Sequence, residues 1–234
     1  MLAALPAAER DRVLRAVESV HLTLKQVIQK ADERVSYVFF PAGGFLSVVT
    51  VLEDGCMVEV ATVGREGAVG MSGALNGSSA EGAIIVQGQW DVCYRMSAVD
   101  FRAEMDRGGA FYKVMMRYSQ AFVALIMQSA ACNAVHSVEQ RLARWLLMAQ
   151  DRMESSEFTL TQEFVAMMLG ANRSTVTLVA GTLQRAGLIS YHRGRLTVLH
   201  RKKLEDASCE CYRMARKALA GLSLADARRP RPRS

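Results

Sequence analysis

Apolar residues recur at helical spacing in two neighbouring stretches of the C-terminal third of the chain. In the first stretch, Val165, Met168 and Leu169 share one face of a predicted helix. This helix begins after Thr161, a favourable N-cap residue, and ends at Gly170. The second stretch places apolar residues at i, i+3, i+4 and i+7, namely Val176, Val179, Ala180 and Leu183. The pattern therefore predicts two short helices joined by a three-residue turn.

The second of these helices, about residues 173–186, has a largely polar outer face. Asn172 precedes it, and we expect its side chain to accept a hydrogen bond from a backbone N–H of the first helical turn. The outward positions are Arg173, Ser174, Thr177, Leu178, Gly181 and Arg185. Such an arrangement is typical of a helix-turn-helix, whose second helix presents its outer face to a DNA groove.

A short hairpin is predicted directly after the second helix. Gly187 is placed to end that helix in a left-handed conformation. The predicted strands are 188–191 and 196–199, and the connection between them is His192, Arg193, Gly194 and Arg195. Guanidinium groups donate bidentate hydrogen bonds to phosphate oxygens, so the tip suits a DNA backbone. Residues 137–222 are thus predicted to form a winged helix-turn-helix DNA-binding domain.

A longer helical pattern runs from Gly108–Gly109 to about His136. Along it, residues suited to a packed interface recur every three or four positions, as in a coiled coil. We call this set the predicted seam: Phe111, Met115, Tyr118, Phe122, Leu125, Ile126, Ser129 and Cys132. We expect residues 108–136 to be a dimerisation helix, because two copies packed along this seam would cover an otherwise exposed apolar patch. The alternative is an ordinary core helix within one chain.

Residues 1–107 are rich in short β-type runs. The predicted strands are 37–40, 45–52, 56–63, 83–87 and 90–96, with a hairpin signal at Asp54–Gly55. Regularly spaced short strands favour a small barrel or jelly roll. The segment 64–73 contains four glycines, which either bring backbone N–H groups towards an anion or serve as ordinary turns.

Charge is distributed unevenly along the 234 residues, which carry a formal net charge of +6. Residues 1–136 hold 12 Lys and Arg against 14 Asp and Glu, whereas residues 137–234 hold 17 against 9. The basic excess therefore lies in the half with the helix-turn-helix pattern, as expected of a module that binds phosphate polyanions. The last residues, 223–234, are predicted to be a basic, disordered tail.

The compartment predicted from the sequence is the cytoplasm. The N-terminal segment lacks a basic start followed by an apolar block, so we expect no secretory signal. The stretch 118–138 contains no Asp, Glu, Lys or Arg, which invites a membrane interpretation. However, its many Ser, Gln, Asn and His side chains would need partners within lipid, and we therefore expect no membrane span.

The order of these parts resembles the Crp/Fnr family of bacterial transcriptional regulators. The local evidence lies in residues 160–191, and the run 136–147 is similar to the family's hinge and first DNA-domain helix. The resemblance implies an α+β fold with an N-terminal β-roll (a cyclic-nucleotide-binding-like jelly roll), a long dimerisation helix and a C-terminal winged helix-turn-helix. It also implies a homodimer that senses a signal at the β-roll, binds double-stranded DNA and contacts RNA polymerase.

The residues that hold a cyclic nucleotide in this family are not matched here. Gly70 fits the family's Gly-Glu pair, but Met71 occupies the carboxylate position. Glu81 and Gly82 stand where the family's phosphate-binding Arg and Ser or Thr would be. An anion in place of the cation replaces attraction by repulsion, worth about 1 kcal/mol or more in a partly buried site. We expect no tight binding of cyclic AMP or cyclic GMP, and the effector stays unassigned.

The cysteines and histidines predict no metal or haem site. Cys56, Cys93, Cys132, Cys209 and Cys211 do not form the N-terminal cluster that iron–sulfur members of the family need. On a single helix the side chains of residues 209 and 211 would point about 200° apart, so we expect no shared metal. The histidines, His21, His136, His192 and His200, are scattered without metal-ligand spacing.

The residues expected to contact DNA fall into two groups. The base-reading group is Arg173, Ser174, Thr177 and Leu178. Arg173 matches a family position that commonly reaches guanine, whereas residues 174 and 178 depart from the family, so no known half-site is assumed. Leu178 either contacts a thymine methyl or packs on its own domain. The phosphate-contacting group is Thr161, Gln162, Asn172, Thr175, His192, Arg193 and Arg195.

Two other classes of function are alternatives to a regulator. A metal-dependent enzyme built on a β-roll is disfavoured, because residues 1–135 contain a single histidine and no His-x-His pair. We therefore predict that the protein is not an enzyme. The second alternative is a sequence-nonspecific nucleoid or RNA-binding protein, which would also have a basic domain. This hypothesis predicts that no palindromic site is preferred and that the affinity is purely salt-driven.

Overall fold

Two antiparallel sheets form the N-terminal part of the computed structural model, which describes residues 1–87 and 92–227. One sheet has the order β1 (Val17–Val20), β7 (Cys93–Ser97), β3 (Tyr37–Pro41). The other has the order β2 (Val27–Gln29), β6 (Ala83–Val86), β4 (Leu46–Val51), β5 (Met57–Val63). Side chains from both sheets share one apolar core, and this domain is the predicted β-roll.

The predicted strands are confirmed with small changes at their ends. The turn between β4 and β5 contains Gly55 at φ 81°, as the Asp-Gly signal predicts. The last predicted strand began at Trp90, which lies outside the described residues; β7 begins at Cys93. Strands β1 and β2 were not predicted, because they are short and most of their residues are not fully buried.

The helices of the N-terminal part surround the β-roll. They are a single 3-10 turn at Leu2–Ala4, α1 (Ala7–Arg15), α2 (Met71–Asn76), α3 (Ala98–Asp106) and α4 (Ala110–Val135). The Glu9 carboxylate of α1 accepts hydrogen bonds from the backbone N–H groups of Ala110 and Phe111, at 3.0 and 2.8 Å. These bonds lower the pKa of Glu9 and satisfy donors that the first turn of α4 leaves free.

The C-terminal part is the predicted winged helix-turn-helix with one additional strand and two additional helices. Its elements are α5 (Val138–Met153), β8 (Glu157–Thr159), α6 (Gln162–Leu169), α7 (Arg173–Arg185), β9 (Ile189–His192), β10 (Arg195–Val198), α8 (Arg201–Ala207) and α9 (Cys211–Ala227). The sheet order is β8, β10, β9. Helix α9 extends into the predicted tail 223–234, so the boundary at 222 is too early; residues 228–234 lie outside the described residues.

The long helix α4 matches the predicted bounds, but the predicted seam faces inward. Of its eight residues, those buried within the chain itself are Phe111, Met115, Tyr118, Leu125 and Cys132. Phe111 packs edge-on against Phe101 of α3, with ring centroids 5.7 Å apart, and Tyr118 packs against Gly67. These five residues therefore belong to the core of one chain, whereas Phe122, Ile126 and Ser129 are only half-buried. Periodicity identified a buried face correctly, but it does not distinguish a partner chain from the same chain.

A different stripe of α4 is left exposed. We call it the outer stripe: Tyr112, Met116, Val123 and Met127, whose exposed fractions rise from 39% to 68%. Their spacing of four, seven and four residues places all four side chains on one side of the helix, and Met116, Val123 and Met127 are also at heptad core spacing. No helix in the described ranges combines the length and apolarity that a bilayer crossing requires.

The β-roll and the DNA-binding domain are joined through helix α5. The Trp145 ring packs edge-on against Phe45, with centroids 5.9 Å apart. Arg152, whose side chain is 6% exposed, forms an ion pair with Glu66 at 2.7 Å and donates to the Thr62 carbonyl. These contacts hold α5 against strand β5 and the segment after it.

A carboxylic acid is buried in this joint. Glu59 of β5 accepts hydrogen bonds from Trp145 Nε1, at 2.8 Å, and from Ser47 Oγ. Burial raises the pKa of Glu59 to about 7, although these hydrogen bonds and the charges of Arg144 and Arg152 act in the opposite direction. Because its charged form is disfavoured in the folded state, Glu59 links stability to pH.

We expect the free energy of unfolding to fall as pH rises from about 4.5 to about 7 because of Glu59. A carboxyl group whose pKa is raised in the folded state stabilises the protein at pH values below its unfolded-state pKa. This stabilisation, here roughly 3 kcal/mol, is lost as the pH rises through the folded-state pKa. Glu59→Gln keeps an acceptor for Trp145 without a titrating proton, so its pH dependence should be flatter. Urea unfolding of both proteins at pH 5 and pH 8 measures this, and equal changes in stability would contradict it.

Candidate nucleic-acid interface

Helix α6 begins and ends as its sequence predicts. The Thr161 hydroxyl oxygen accepts a hydrogen bond from the Phe164 backbone N–H at 3.2 Å, so Thr161 is the N-cap. Gly170 ends the helix in the left-handed region at φ 56°. The predicted apolar face, Val165, Met168 and Leu169, is buried. Helix α6 is thus fixed on its domain with its N-terminal turn at the surface.

Helix α7 follows after the predicted three-residue turn, 170–172, but the capping role predicted for Asn172 is wrong. Asn172 occupies the N-cap position, yet its exposed side chain makes no capping hydrogen bond. The inner face agrees with the prediction, because Val176, Ala180 and Leu183 are buried and Val179 is half-buried. The first turn of α7 therefore keeps backbone N–H groups without a side-chain cap, as suits an approaching phosphate.

The four predicted base-reading residues lie together on the free surface of α7. Arg173, Ser174, Thr177 and Leu178 are all exposed, and Leu178 is 69% exposed. Of the two roles considered for Leu178, packing on its own domain is therefore wrong. A large apolar side chain held in solvent at this place is available to a thymine methyl group.

Helix α6 contributes two polar neighbours to this surface. The Glu163 carboxylate accepts a hydrogen bond from Arg173 at 3.0 Å, and both side chains are largely exposed. The Thr177 hydroxyl donates to the Gln162 side-chain oxygen at 2.8 Å. Exposed ion pairs of this kind are worth at most about 1 kcal/mol, so Arg173 can exchange Glu163 for a stronger acceptor at little cost. Glu163 was not among the predicted site residues, although an acidic residue in the first turn of α6 was a usable signal.

The wing has the predicted basic tip. His192 pairs with Arg195 across the hairpin, and the two turn residues, Arg193 and Gly194, have φ values of 48° and 78°. The side chains of residues 192, 193 and 195 are exposed. This turn conformation holds both guanidinium groups at the end of the hairpin, where they are open to an anion.

Two hydrogen bonds fix the wing relative to the helices. The Tyr191 hydroxyl donates to the Leu160 carbonyl at 2.9 Å, and the Gln184 side-chain oxygen accepts from the Tyr191 backbone N–H at 2.7 Å. Strand β8, which the sequence analysis did not predict, pairs with β10 on the other side. The tip and the outer face of α7 are therefore held by one rigid scaffold.

The remaining predicted phosphate contacts differ in accessibility. Thr161 and Asn172 are exposed, whereas Gln162 and Thr175 are half-buried. The Thr161 hydroxyl already caps α6, and Gln162 already accepts from Thr177. All seven predicted phosphate-contacting residues lie on α6 and α7, at their N-caps, or on the wing.

The predicted effector position in the β-roll is closely packed. Gly70, at φ 86°, begins α2, and Met71 is 8% exposed. A Cβ on Gly70 would lie 2.7 Å from the Tyr37 carbonyl oxygen, and one on Gly82 would lie 2.5 Å from the Val49 carbonyl oxygen. These glycines permit close backbone packing, which favours their structural interpretation over an anion cradle. Glu81 remains exposed and accepts a hydrogen bond from Ser72 at 3.5 Å.

The prediction that Cys209 and Cys211 diverge is wrong. Helix α9 begins at Cys211, so residue 209 lies in the connection before it, and the helical angle does not apply. The donor atoms of Cys132, His136, Cys209 and Cys211 all lie within 4.8 Å of one another. The i, i+4 spacing of Cys132 and His136, the C-cap residue of α4, was the sequence signal for this grouping, so the expectation that no histidine has metal-ligand spacing is wrong.

The thiols of this group affect each other. Hydrogen bonding between Cys132 and Cys209 lowers the pKa of Cys209 to about 5, and the same contact raises the pKa of Cys132. Cys93 and Cys56 lie outside the group. Cys93 is buried in the β-roll, where burial raises the pKa of its thiol to about 12, and Cys56 is exposed.

This architecture is similar to that of known proteins. Residues 140–207 match the family model of the Crp-like helix-turn-helix domain. No curated protein sequence has detectable similarity to the chain. Among solved structures, a protein of Eubacterium rectale assigned to the Crp/Fnr family of transcriptional regulators is similar with a TM-score of 0.70 at 18% identity, covering 88% of this chain and 95% of that one.

Two further solved structures agree with this result. The c-di-GMP responsive global regulator CLP of Xanthomonas campestris has a TM-score of 0.67 at 15% identity, covering 83% of this chain and 100% of that one. FixK2 of Bradyrhizobium japonicum has a TM-score of 0.62 at 17% identity, covering 82% of this chain and 98% of that one. At these identities the likeness establishes the fold: a Crp/Fnr-type β-roll, long helix and Crp-like helix-turn-helix domain.

We expect isothermal titration calorimetry to show no saturable micromolar binding of cyclic AMP or cyclic GMP. The closely packed glycines leave little room, and Glu81 would repel a phosphate. Glu81→Arg is the informative variant, because it restores the sign of charge while leaving Met71 in place. Saturable micromolar binding by the unmodified protein would contradict this prediction.

Proposed function

We propose that the protein is a sequence-specific DNA-binding transcriptional regulator that acts as a homodimer. Each protomer inserts helix α7 into the major groove of one half of a palindromic site. The observation that carries the proposal is the surface of α7, where Arg173, Ser174, Thr177 and Leu178 are exposed beside a basic wing. A DNA-binding surface combines such base-reading side chains with phosphate contacts that fix the register.

The arrangement of charge supports DNA as the partner. The exposed guanidinium groups of residues 173, 193 and 195 belong to α7 and the wing, within the basic half of the chain. Their attraction to DNA follows from the release of condensed counterions. Such a regulator acts in the cytoplasm, and contact with RNA polymerase is an extension of the resemblance to Crp/Fnr proteins.

The outer stripe of α4 supports a homodimer. Met116, Val123 and Met127 are 45%, 55% and 68% exposed, and they follow one another at heptad spacing along one side of the helix. Two copies packed along this stripe remove a contiguous apolar surface from water, whereas five of the eight residues of the predicted seam are already buried by the same chain. A two-fold dimer also positions two α7 helices for half-sites about one helical turn apart.

The site that senses the controlling signal is assigned to the β-roll, because the β-roll is the domain attached to the DNA-binding domain. The chemistry of this signal differs from that of cyclic AMP, since Met71 and Glu81 replace the residues that the family uses. CLP is described as responsive to c-di-GMP, so the same fold serves a ligand other than cyclic AMP in that protein.

Selection of genomic and random DNA fragments by the purified protein, at two salt concentrations, tests the proposed function. We expect a two-fold symmetric motif that survives the higher salt. Arg173→Ala should remove roughly 1–3 kcal/mol of discrimination at one base of each half-site, because Arg is suited to a guanine edge. Arg193→Ala should weaken binding to all sequences alike and reduce the salt slope by about 1.

Arg193→Ala is therefore the matched control for Arg173→Ala, since each removes one exposed guanidinium group. Equal losses on the selected site and on random DNA for both variants would defeat the assignment of Arg173. Absence of any enriched motif, together with a purely salt-driven affinity, would favour the alternative function of a sequence-nonspecific nucleoid or RNA-binding protein.

We expect the double variant Val123→Glu and Met127→Glu to be monomeric. Two carboxylates per chain along the outer stripe would have to be buried without partners, which a dimer does not tolerate. Sedimentation equilibrium measures the mass, and Val99→Glu is the control because Val99 of α3 is similarly exposed at 67%. A double variant that remains dimeric, or a control that also dissociates, would place the interface elsewhere.

A further inference from the structure

Three cysteines and a histidine converge where the long helix meets the C-terminal helix. Cys132 and His136 lie one turn apart at the end of α4, and Cys209 and Cys211 flank the start of α9. The sulfur atoms of Cys132 and Cys209 are 3.5 Å apart, and the Cys211 sulfur lies 3.6 Å from His136 Nδ1. All four donor atoms lie within 4.8 Å of one another.

We propose that Cys132, His136, Cys209 and Cys211 form a tetrahedral binding site for a single Zn²⁺ ion. The site goes beyond the proposed function, because it concerns how the helices are held together rather than how DNA is read. Its basis is the donor set, its spacing and the polar groups around it.

The spacing fits one ion. Tetrahedral zinc with Zn–S of about 2.3 Å and Zn–N of about 2.0–2.1 Å places neighbouring sulfurs roughly 3.8 Å apart and sulfur and nitrogen roughly 3.5–3.6 Å apart. The separations of 3.5 and 3.6 Å agree with these values. An iron–sulfur cluster holds its outer ligands apart by the width of its own core, so a set gathered within 4.8 Å favours a mononuclear site.

The groups around the donors are those of a metal site. His136 Nε2 lies 3.2 Å from a carboxylate oxygen of Glu210, which leaves Nδ1 to face Cys211. A carboxylate behind a ligating histidine fixes the ring and raises the basicity of its other nitrogen. The Gln128 side-chain amide donates to the Cys211 sulfur at 2.9 Å, a contact that a thiolate strengthens.

Charge around the site is also compensated. Three thiolates, a neutral imidazole and Zn²⁺ carry a net charge of −1, which would be costly in an apolar interior. The buried guanidinium of Arg141 interacts electrostatically with Cys132 and Cys209, and Arg144 also acts on Cys132. The interior therefore already contains the cations that such a site requires.

The simpler explanation is that these cysteines are small core residues. Against it, the three thiols form a cluster of their own, separate from the main apolar core, and their neighbours include a histidine, a glutamine and an arginine. A second explanation is a disulfide between Cys132 and Cys209, whose sulfurs are adjacent. It would leave His136 and Cys211 without a common role.

A bound ion would connect parts of the chain that matter for regulation. Cys132 and His136 end the long helix just before α5 opens the DNA-binding domain, and Cys209 and Cys211 lie 77 and 79 residues further along than Cys132. Zinc would therefore fix the last helix of the DNA-binding domain to the end of α4. Its loss would loosen that connection without touching the DNA-contacting surface.

Cobalt titration of the full-length protein, reduced and freed of metal by a chelator, tests the proposal. We expect one Co²⁺ per chain, with thiolate-to-cobalt charge transfer in the near ultraviolet and the intense visible bands of tetrahedral coordination. One equivalent of Zn²⁺ should abolish both, and protein purified without chelator should contain one zinc per chain by elemental analysis. Cys209→Ser should lose the tetrahedral spectrum, whereas Cys56→Ser and Cys93→Ser should keep it.

Glu210→Gln tests the site without altering a ligand or a buried group, because Glu210 is 57% exposed. Loss of a carboxylate behind a ligating histidine should weaken cobalt affinity ten- to hundredfold while the spectrum stays tetrahedral. Three results would overturn the proposal: no tetrahedral spectrum with the unmodified protein, an unchanged spectrum in Cys209→Ser, or a Cys132–Cys209 disulfide in zinc-free protein that binds no Co²⁺ after reduction.

Discussion

Helix α4 has two apolar sides, and the rest of the architecture depends on covering both. Its 26 residues span about 39 Å, a length that no single neighbouring element matches. The inner side is covered successively by α3, the segment around Gly67 and α9. The outer stripe has no cover within the described part of the chain. One helix therefore both completes the fold of a protomer and presents the surface from which we infer a dimer.

Helix α5 fixes the position of the DNA-binding domain relative to the β-roll, because the buried residues of α5 make polar as well as apolar contacts. Trp145 reaches Glu59 and Arg152 reaches Glu66, so side chains of the DNA-binding domain satisfy carboxylates of the β-roll. Buried polar partners are costly to separate, and such a contact specifies orientation more sharply than apolar packing does. A change in the β-roll that displaces β5 would act first on the position of α5 and then on the positions of α6 and α7.

The surface proposed to bind DNA and the group proposed to bind zinc lie at different places on this scaffold. The first is formed by α6, α7 and the wing, whose residues are exposed and weakly paired, as with Arg173 and Glu163. The second is buried between α4 and α9, where donors are closely surrounded. Weak pairing suits a surface that must exchange partners, whereas burial suits a site that holds helices together.

Periodicity, capping and turn chemistry act over a few residues, and they were sufficient to predict the strands around Asp54–Gly55, the long helix after Gly109, the Thr161 cap, the end at Gly170 and the basic wing. Long-range packing was needed to bury most of the predicted seam inside one chain, to bring Glu163 to Arg173, and to join Cys209 to Cys132 across 77 residues. An apolar pattern records that a side chain is buried, but the group that buries it depends on how distant segments pack.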